Sequence, residues 1–229
     1  MATFNILKNN KVIYYDGPKC GSTTMLAYAT LIHNPDLLLE VNALIKKGLD
    51  PTTAYDNCRR GKKNLYTRGA IVKETLIKKE NVPPDAIKFC IVRDPIERFI
   101  SVYKSLVLYG RYVTSKDVSI DEFIKIIDID KSTLKDWTEV SDIGWRMVKF
   151  HFLPQVQFYG TDPTIFTHIF NIKQMEEVKQ LLEQHSGITL PSLQANWSRK
   201  IEISLTESQI DWIKKRYARD YKFYKKWMK

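Results

Sequence analysis

The chain has 229 residues, of which 44% are hydrophobic, and its 36 Lys and Arg residues against 26 Asp and Glu residues give a formal net charge of +10. Disordered and low-complexity chains are excluded, because they are poorer in apolar residues and richer in Gly and Pro than this sequence. A chain of this length can enclose one hydrophobic core, so we expect a single domain over residues 1–229.

Membrane, disulfide-rich and metal-binding proteins are also disfavoured. No segment approaches the ~20 consecutive apolar residues that cross a bilayer, and the start of the chain lacks the order of a signal peptide. We therefore expect a cytoplasmic protein without membrane insertion. The three cysteines form no C-x-x-C pair and the four histidines are scattered singly, so neither a disulfide framework nor a metal site is expected.

The positive charge is concentrated near the C-terminus, where residues 211–229 contain eight Lys and Arg residues against two Asp residues, a net charge of +6. One interpretation is a solvated amphipathic helix, because apolar residues recur at helical spacing (Ile210, Ile213, Tyr217, Tyr221 and Tyr224). The other is a surface for an anionic partner, for which nucleic acid, an anionic nucleotide and an acidic glycan fit equally well.

The first half of the chain alternates strands with helices. The first predicted strand, Val12–Tyr15, ends at a Gly-Pro turn, and a helix follows from the Ser-Thr-Thr sequence at 22–24 to the Asn-Pro break at 34–35. Residues 36–86 have a mostly helical pattern that ends in the breaker Pro83-Pro84. The second predicted strand, Ile87–Val92, precedes a helix from Pro95 to about residue 109, with Asp94 as its N-cap.

The second half is less regular. Residues 110–149 show no clean periodicity, so we expect an irregular insertion at about 110–150 that forms a lid or an acceptor wall. A third strand is predicted at residues 165–170, followed by a helix that ends at Gly187, and the last helix begins at Thr206 with Gln209 completing a capping box. Strands that alternate with helices predict an α/β fold with a largely parallel sheet.

The loop after the first strand has the features of an anion site. The sequence Pro18-Lys19-Cys20-Gly21-Ser22-Thr23-Thr24 joins a strand to a helix, so backbone N–H groups and the positive end of the helix dipole face its opening. Gly21 permits close approach, and Lys19 adds a cationic donor. The loop is not a Walker A motif, because its lysine precedes the glycine and no obvious acidic ligands for magnesium accompany it.

A second candidate site follows the second strand. Arg93 leaves the strand end, and Ser101 lies eight residues later on the next helix, so the two side chains can hold another phosphate. Arg98 shares a helix face with Ser101. We interpret Arg98 as a structural residue that forms an ion pair with Glu97 or Asp94.

Together the two segments resemble the signature of sulfotransferases that use 3′-phosphoadenosine 5′-phosphosulfate (PAPS), especially the carbohydrate class that acts on chondroitin and heparan. The first segment is similar to their P-K-x-G-[ST]-[ST] loop and the second to their R-D-P-x-x-R-x-x-S-x-Y segment. Further similarities lie at an H-x-x-P-Q element, at an N-x-S element and in the terminal helix (His151 to Gln155; Asn196, Trp197 and Ser198; Tyr217, Asp220, Tyr221 and Phe223).

This resemblance implies a P-loop-like, three-layer α/β/α fold with a central, mostly parallel sheet. It implies an enzyme that transfers the sulfuryl group of PAPS to an acceptor hydroxyl or amine without a metal. Lys19 would neutralise the bridging oxygen, and the other cofactor contacts would come from the loop and from three later residues (Cys20, Gly21, Ser22, Thr23 and Thr24 at the 5′-phosphosulfate; Arg93 and Ser101 at the 3′-phosphate; and Ser198).

The resemblance identifies the general base less directly than it identifies the cofactor contacts. Heparan 2-O-type enzymes carry histidines shortly before the R-D-P segment, whereas this chain has Tyr-Thr-Arg-Gly at 66–69. His151 is the first candidate, because histidine is the commonest base, and Glu40 is the second. We interpret His33 and His168 as structural residues, and we favour a core position for Trp145 and Trp197 over a stacking role.

A glycan is the favoured acceptor, ahead of a lipid, a peptide or a small metabolite, and no nucleic acid partner is expected. The sequence does not indicate an oligomeric state. Relatives in the Golgi carry a membrane anchor, so a Golgi location is expected only if this sequence is an excised domain.

Three alternatives stay open. A P-loop nucleotide kinase shares the strand, loop and helix, but it should show a Lys-Ser/Thr pair and depend on magnesium. A non-catalytic basic module that binds nucleic acid or acidic glycan would depend on salt and ignore PAPS. A degenerate sulfotransferase fold would retain binding alone.

Overall fold

The structure is a computed structural model that describes residues 3–7, 11–60, 81–108, 118–128, 148–193 and 201–229. The chain forms two compact units, the first made of Met1–Val92 and Phe158–Trp197 and the second of Arg93–Gln157 and Ser198–Lys229. The expectation of a single domain stays a prediction.

The first unit contains a sheet of β1 (Thr3–Asn5), β2 (Val12–Tyr15), β3 (Ile87–Val92) and β4 (His168–Asn171), in that order. β1 is antiparallel to β2, whereas β2 pairs with β3 and β3 with β4 in parallel. This arrangement confirms the predicted α/β fold with a mostly parallel sheet flanked by helices. β2 and β3 have the predicted bounds.

The third predicted strand begins three residues later than expected. Residues 163–165 form a 3₁₀ turn instead, because the Asp162 carboxylate accepts the Thr164 N–H at 2.9 Å and Pro163 occupies the first position of the turn. The strand then starts at His168, whose ring nitrogen Nδ1 lies 3.1 Å from the Thr167 hydroxyl. The His168 ring thus bonds to the neighbouring residue in the chain.

The helices of the described residues follow in chain order. They are α1 (Ser22–His33), α2 (Pro35–Lys46), α3 (Pro51–Arg60), α4 (Pro95–Tyr103), α5 (Ile120–Asp128), α6 (Val156–Tyr159), α7 (Met175–Ser186), α8 (Glu207–Arg216) and α9 (Ala218–Tyr224). A π-helical turn, Lys104–Leu108, extends α4, and residues 148–152 are also helical. Within these described segments, no helix is both long enough and apolar enough to cross a membrane.

The core of the first unit packs α1, α2 and α7 with one face of the sheet. Tyr14 and Phe89 on neighbouring parallel strands lie 5.2 Å apart between ring centroids, and they join apolar side chains from the three helices (Met25, Tyr28, Leu31, Leu37, Val41, Val178 and Leu182). The opposite face is covered too, since the buried Tyr15 ring packs edge-on against Phe166 at 5.0 Å. Burial on both faces is typical of parallel strands, which explains why β2 and β3 read as continuous apolar runs.

The second unit has its own core around Phe99, Phe123 and Phe152, whose ring centroids lie 5.0–6.3 Å apart. Phe123 belongs to α5, so the expectation of an irregular insertion is wrong at residues 120–128. Ser119 and Glu122 form reciprocal hydrogen bonds of 2.8 and 3.2 Å at the helix start, which is a capping box. Of the rest of the predicted insertion, residues 110–117 and 129–147 lie outside the described residues, and residues 148–150 are helical.

Candidate active site

The predicted anion loop connects β2 to α1 in the first unit. Gly21 is the N-cap of α1, at φ +86°, and the Ser-Thr-Thr sequence at 22–24 begins the helix, as predicted. A glycine N-cap has no side-chain oxygen to occupy the first N–H groups of the helix. A β-carbon at this position would also lie 3.2 Å from Ile172 Cδ1, so a residue larger than glycine fits only if the Ile172 side chain shifts.

Lys19 has a left-handed backbone with φ +64°, the only such non-glycine residue in the part of the chain that the structure describes. A lysine in this region costs about 1–3 kcal/mol relative to an ordinary backbone conformation, and such residues cluster at functional sites. The Lys19 side chain is half-buried. The loop therefore accepts backbone strain at the residue that the sequence analysis placed at the reacting bond.

The remaining loop residues differ in what they can offer to an anion. The Cys20 N–H donates to the Gly17 carbonyl at 3.3 Å, and its buried thiol lies 3.6 Å from the Pro18 carbonyl, so both groups bond within the loop. The Ser22 hydroxyl also donates to the Gly17 carbonyl, at 3.0 Å. Of the predicted hydroxyl ligands, Thr23 is exposed, Ser22 is half-buried and Thr24 is buried.

The Tyr159 ring packs against the loop at Gly17. The Tyr159 hydroxyl donates to the Ile91 carbonyl at 2.7 Å, and the ring is fully buried. Burial raises the pKa of this phenol well above its ordinary value, which keeps the hydroxyl protonated as a donor. Gly17 lies directly against the same ring, since a β-carbon there would come 2.2 Å from Tyr159 Oη.

Replacing Gly17 with alanine is therefore expected to destabilise the first unit by about 2–4 kcal/mol, because the new methyl group displaces a buried ring and breaks its hydrogen bond. The free energy of unfolding in urea measures this. Gly48→Ala is the control, since Gly48 has φ +94° but no atom within 4 Å of a new β-carbon. The control should lose about 1 kcal/mol from backbone strain alone. A smaller loss for Gly17→Ala than for Gly48→Ala would contradict the contact with Tyr159.

Arg93, the predicted 3′-phosphate ligand, begins the second unit. Its N–H donates to Gln155 Oε1 at 2.9 Å, and Gln155 Nε2 donates back to the Arg93 carbonyl at 2.8 Å. The Arg93 side chain is 25% exposed, and its Nε lies 3.8 Å from Glu97 Oε2. Gln155 is the last residue of the H-x-x-P-Q element, and the structure gives it a direct contact with the Arg93 backbone.

Arg98 is structural, as predicted, and it has partners far from its sequence neighbours. Its guanidinium donates to the carbonyls of His151, at 2.9 Å, and Leu153, and Nη1 lies 4.0 Å from Asp220 Oδ2. Glu97 forms an ion pair with Arg93. Arg98 and Asp220 are almost completely buried, at 1% and 0% exposure. An ion pair of this kind is held by its additional hydrogen bonds.

Asp220 ties the terminal helix to the H-x-x-P-Q element. Its two carboxylate oxygens accept the backbone N–H groups of Gln155 and Val156, at 2.8 and 2.9 Å. Burial raises the pKa of Asp220, while these two hydrogen bonds and Arg98 act in the opposite direction. Tyr217 adds a third link, because its hydroxyl donates to the Phe152 carbonyl at 3.0 Å.

Asp94 fixes the start of α4. One of its oxygens accepts the N–H groups of Ile96 and Glu97, at 2.8 and 3.2 Å, which confirms it as the predicted N-cap. The other oxygen accepts the Tyr221 hydroxyl at 3.1 Å. Burial, followed by the charge of Asp94, raises the pKa of Tyr221. The R-D-P segment, the H-x-x-P-Q element and the terminal helix, which are far apart in sequence, thus form one hydrogen-bond network in the second unit.

The other predicted site residues lie in both units. Ser101 is half-buried on α4, and His151 is half-buried in the helical residues 148–152. Glu40 is exposed on α2 in the first unit. Ser198 lies outside the described residues, as do Trp145 and Trp197. His33 is the last residue of α1, whose C-cap is Asn34, and its Nε2 lies 2.9 Å from the Ile6 carbonyl.

The residues that the structure describes contain no group of three His, Cys, Asp or Glu side chains that could hold a metal ion. The predicted site residues of the first unit offer a lysine, hydroxyl groups and helix N–H groups, and those of the second unit offer an arginine and a hydroxyl group. Such donors suit an anion rather than a cation.

A comparison with protein families agrees with this chemistry. A family model described as "Sulfotransferase family" matches residues 2–226, nearly the whole chain. The matched family comprises carbohydrate sulfotransferases that depend on PAPS. No match was found among the curated proteins or the solved structures. With this match over its length, and with the phosphate-type loop and the R-D-P segment in place, the chain belongs to the sulfotransferase family.

Proposed function

We propose that this PAPS-dependent sulfotransferase transfers the sulfuryl group to a hydroxyl or amine of an acidic carbohydrate. The single observation that carries the assignment of its donor site is the loop after β2. There a glycine N-cap opens the twelve-residue helix α1, and Lys19 adopts a left-handed backbone beside it. Backbone donors, a helix dipole and an ammonium group in one turn favour a doubly anionic ligand such as a phosphosulfate.

PAPS supplies the activated sulfuryl group when it is bound. Lys19 would stabilise the negative charge that develops on the bridging oxygen, and the first turn of α1 would hold the 5′-phosphosulfate with N–H groups and the Thr23 hydroxyl. Positioned cations and donors of this kind account for much of the catalysis of group transfer. No metal ion has a role in this proposal, and activity in excess EDTA tests that point.

Arg93 and Ser101 would bind the 3′-phosphate that distinguishes PAPS from ATP. The support is local, because both residues belong to the second unit and flank the first turns of α4. Arg93 is partly exposed and its backbone is held on both sides, so its side chain leaves the backbone at a defined place. Planar guanidinium groups are well suited to phosphate.

Calorimetric titration with adenosine 3′,5′-bisphosphate, compared with ATP without magnesium, tests this assignment. Wild-type protein is expected to bind the bisphosphate selectively, and Arg93→Ala should weaken that binding by about 1.5–3 kcal/mol, as expected for a lost hydrogen bond to a charged group. Equal binding of both nucleotides, or no binding, would argue for a basic binding module instead.

His151 is the proposed general base, with Glu40 as the second candidate. His151 follows the exposed Phe150, and its backbone carbonyl is held by Arg98 at 2.9 Å. A fixed backbone supports a defined ring position, which a base needs. Glu40 is exposed on α2 in the first unit.

The acidic nature of the acceptor is proposed from the terminal helices. Lys215, Arg219, Lys222 and Lys226 are exposed and recur at intervals of three and four residues, which places them on one side of α8, α9 and the turn that follows. We call this set the basic stripe. Asp220, the only acidic residue within its span, is buried against Arg98 and does not neutralise it at the surface.

The basic stripe predicts salt-dependent binding of a polyanion. Replacing Lys215, Lys222 and Lys226 with glutamine should weaken binding of non-sulfated chondroitin about tenfold at low salt and flatten its salt dependence, because fewer counterions are released. Affinity for adenosine 3′,5′-bisphosphate should not change. The matched control replaces three exposed lysines elsewhere, Lys46, Lys47 and Lys125, with glutamine. Equal losses in both triple variants would show that only net charge matters.

A further inference from the structure

The backbone N–H and carbonyl of Arg93 bond to a side chain, because Arg93 lies just beyond the end of the sheet. The sheet hydrogen bonds of β3 end at Val92, whose carbonyl accepts the Ile172 N–H at 2.9 Å. Arg93 therefore needs other partners, and both of its backbone groups bond to the side-chain amide of Gln155, at 2.9 and 2.8 Å. Only one orientation of that amide places its oxygen at the N–H and its nitrogen at the carbonyl. Gln155 is fully buried, so water does not compete for these bonds.

Gln155 is itself fixed in place. Its N–H and the next one along the chain, that of Val156, donate to the two oxygens of Asp220. Asp220 lies 4.0 Å from Arg98, which also donates to two carbonyls of the segment that precedes Gln155. A buried network with its donors and acceptors satisfied is rigid, so the amide cannot withdraw from Arg93 without breaking several bonds.

Bonds on both sides of the Arg93 α-carbon restrict its two backbone dihedral angles. They therefore fix the direction in which the side chain leaves the backbone. The Asp94 side chain caps α4 immediately afterwards, so the following residues are fixed as well. An arginine whose backbone is fixed samples fewer side-chain positions before it binds a phosphate. Binding then costs less side-chain conformational entropy.

We propose that Gln155 is a positioning residue that directs Arg93 to the 3′-phosphate and thereby selects nucleotides that carry this group. This inference rests on the 3′-phosphate role proposed above for Arg93. Gln155 itself touches neither the nucleotide nor the acceptor in this scheme. Its effect is expected on the discrimination between nucleotides with and without the 3′-phosphate, rather than on nucleotide binding in general.

The test compares calorimetric dissociation constants for adenosine 3′,5′-bisphosphate and adenosine 5′-monophosphate. Gln155→Met keeps the length of the side chain and removes both hydrogen bonds. We expect it to reduce the preference for the bisphosphate about tenfold, while affinity for the monophosphate stays within about twofold of wild type. Gln157→Met is the matched control, because Gln157 is exposed in the same segment, and it should keep the wild-type preference. Circular dichroism melting identifies which variants are folded.

Gln155→Glu is a second variant that keeps the test valid if Gln155→Met does not fold. A neutral carboxylic acid has one donor and one acceptor, like the amide, whereas a carboxylate cannot donate to the Arg93 carbonyl. Burial raises the pKa of such a group, so the preference for the bisphosphate, relative to wild type at the same pH, should recover as the pH falls. A pH-independent relative preference at the wild-type level would overturn the inference.

Arg93→Ala separates the two proposals. If Arg93→Ala and Gln155→Met each lower the preference, and Gln155→Met has no further effect in the Arg93→Ala background, both proposals hold. If Arg93→Ala lowers the preference but folded Gln155 variants retain the wild-type value, only the positioning role of Gln155 is overturned. If wild-type protein shows no preference, or Arg93→Ala leaves it unchanged, the proposed 3′-phosphate site is wrong and the inference fails with it.

Discussion

Replacing Lys19 with asparagine is expected to slow sulfuryl transfer by about 10²- to 10³-fold, the usual cost of one donor that stabilises developing charge. The fold should not suffer, because asparagine occupies the left-handed backbone region more readily than lysine, and the φ of Lys19 is +64°. We expect the free energy of unfolding to stay within about 1 kcal/mol of wild type. The measurements are release of adenosine 3′,5′-bisphosphate from PAPS in the presence of non-sulfated acidic glycans, and urea unfolding.

The Lys19 experiment needs a control for the loss of a positive charge. Lys47→Asn supplies it, because Lys47 is an exposed lysine just after α2, and that variant should transfer at the wild-type rate. A folded Lys19→Asn protein with wild-type transfer would remove Lys19 from the reaction. If wild-type protein binds adenosine 3′,5′-bisphosphate but transfers nothing to any acceptor, the degenerate fold that retains only binding is favoured.

The parallel core of the sheet was predictable from sequence, whereas its edges were not. β2 and β3 are buried on both faces, so their apolar residues form continuous runs that are visible without the structure. β1 is only three residues long, and its pairing with β2 depends on contacts that a local pattern does not contain. β4 was placed three residues too early, because the Asp162-Pro163 turn interrupts an apolar stretch that otherwise resembles a strand.

Helix α5 is different, since the sequence did contain a signal for it. Ser119 and Glu122 have the S-x-x-E spacing of a capping box, and the apolar residues that follow recur at helical intervals (Ile120, Phe123, Ile124 and Ile127). The polar residues on both sides of the helix mask this pattern, because the segment as a whole shows no regular periodicity.

The motifs located the candidate site residues but did not reveal which of them are structural. Arg98, Gln155 and Asp220 all belong to segments that resemble family elements, yet in the structure they bond chiefly to backbone groups of the second unit. The bonded partners are far apart in the chain, from 53 residues between Arg98 and His151 to 127 residues between Asp94 and Tyr221. Local spacing carries no information about such contacts, so Glu97 and Asp94 were chosen as partners of Arg98 because they are its neighbours.

The largest stability effect is expected at Asp220. Asparagine keeps the shape of the side chain but presents only one oxygen, so the N–H of either Gln155 or Val156 would face an amide donor. The change also leaves Arg98 buried without its carboxylate. We expect Asp220→Asn to cost about 3–5 kcal/mol of unfolding free energy, as measured for other broken buried pairs. Arg98→Met should cost a similar amount, because it leaves the carboxylate buried without its cation.

A surface pair in the same unit provides the comparison for Asp220. Asp128 accepts a hydrogen bond from Arg216 at 2.7 Å, but the two side chains are 47% and 28% exposed. Asp128→Asn should therefore cost no more than about 1 kcal/mol, since water replaces the lost interaction. The Arg98→Met and Asp220→Asn double variant should lose less stability than the two single variants combined, because no unpaired charge remains. If Asp220→Asn alone costs as little as Asp128→Asn, Asp220 is protonated in the folded protein, and the network is held by neutral hydrogen bonds rather than by an ion pair.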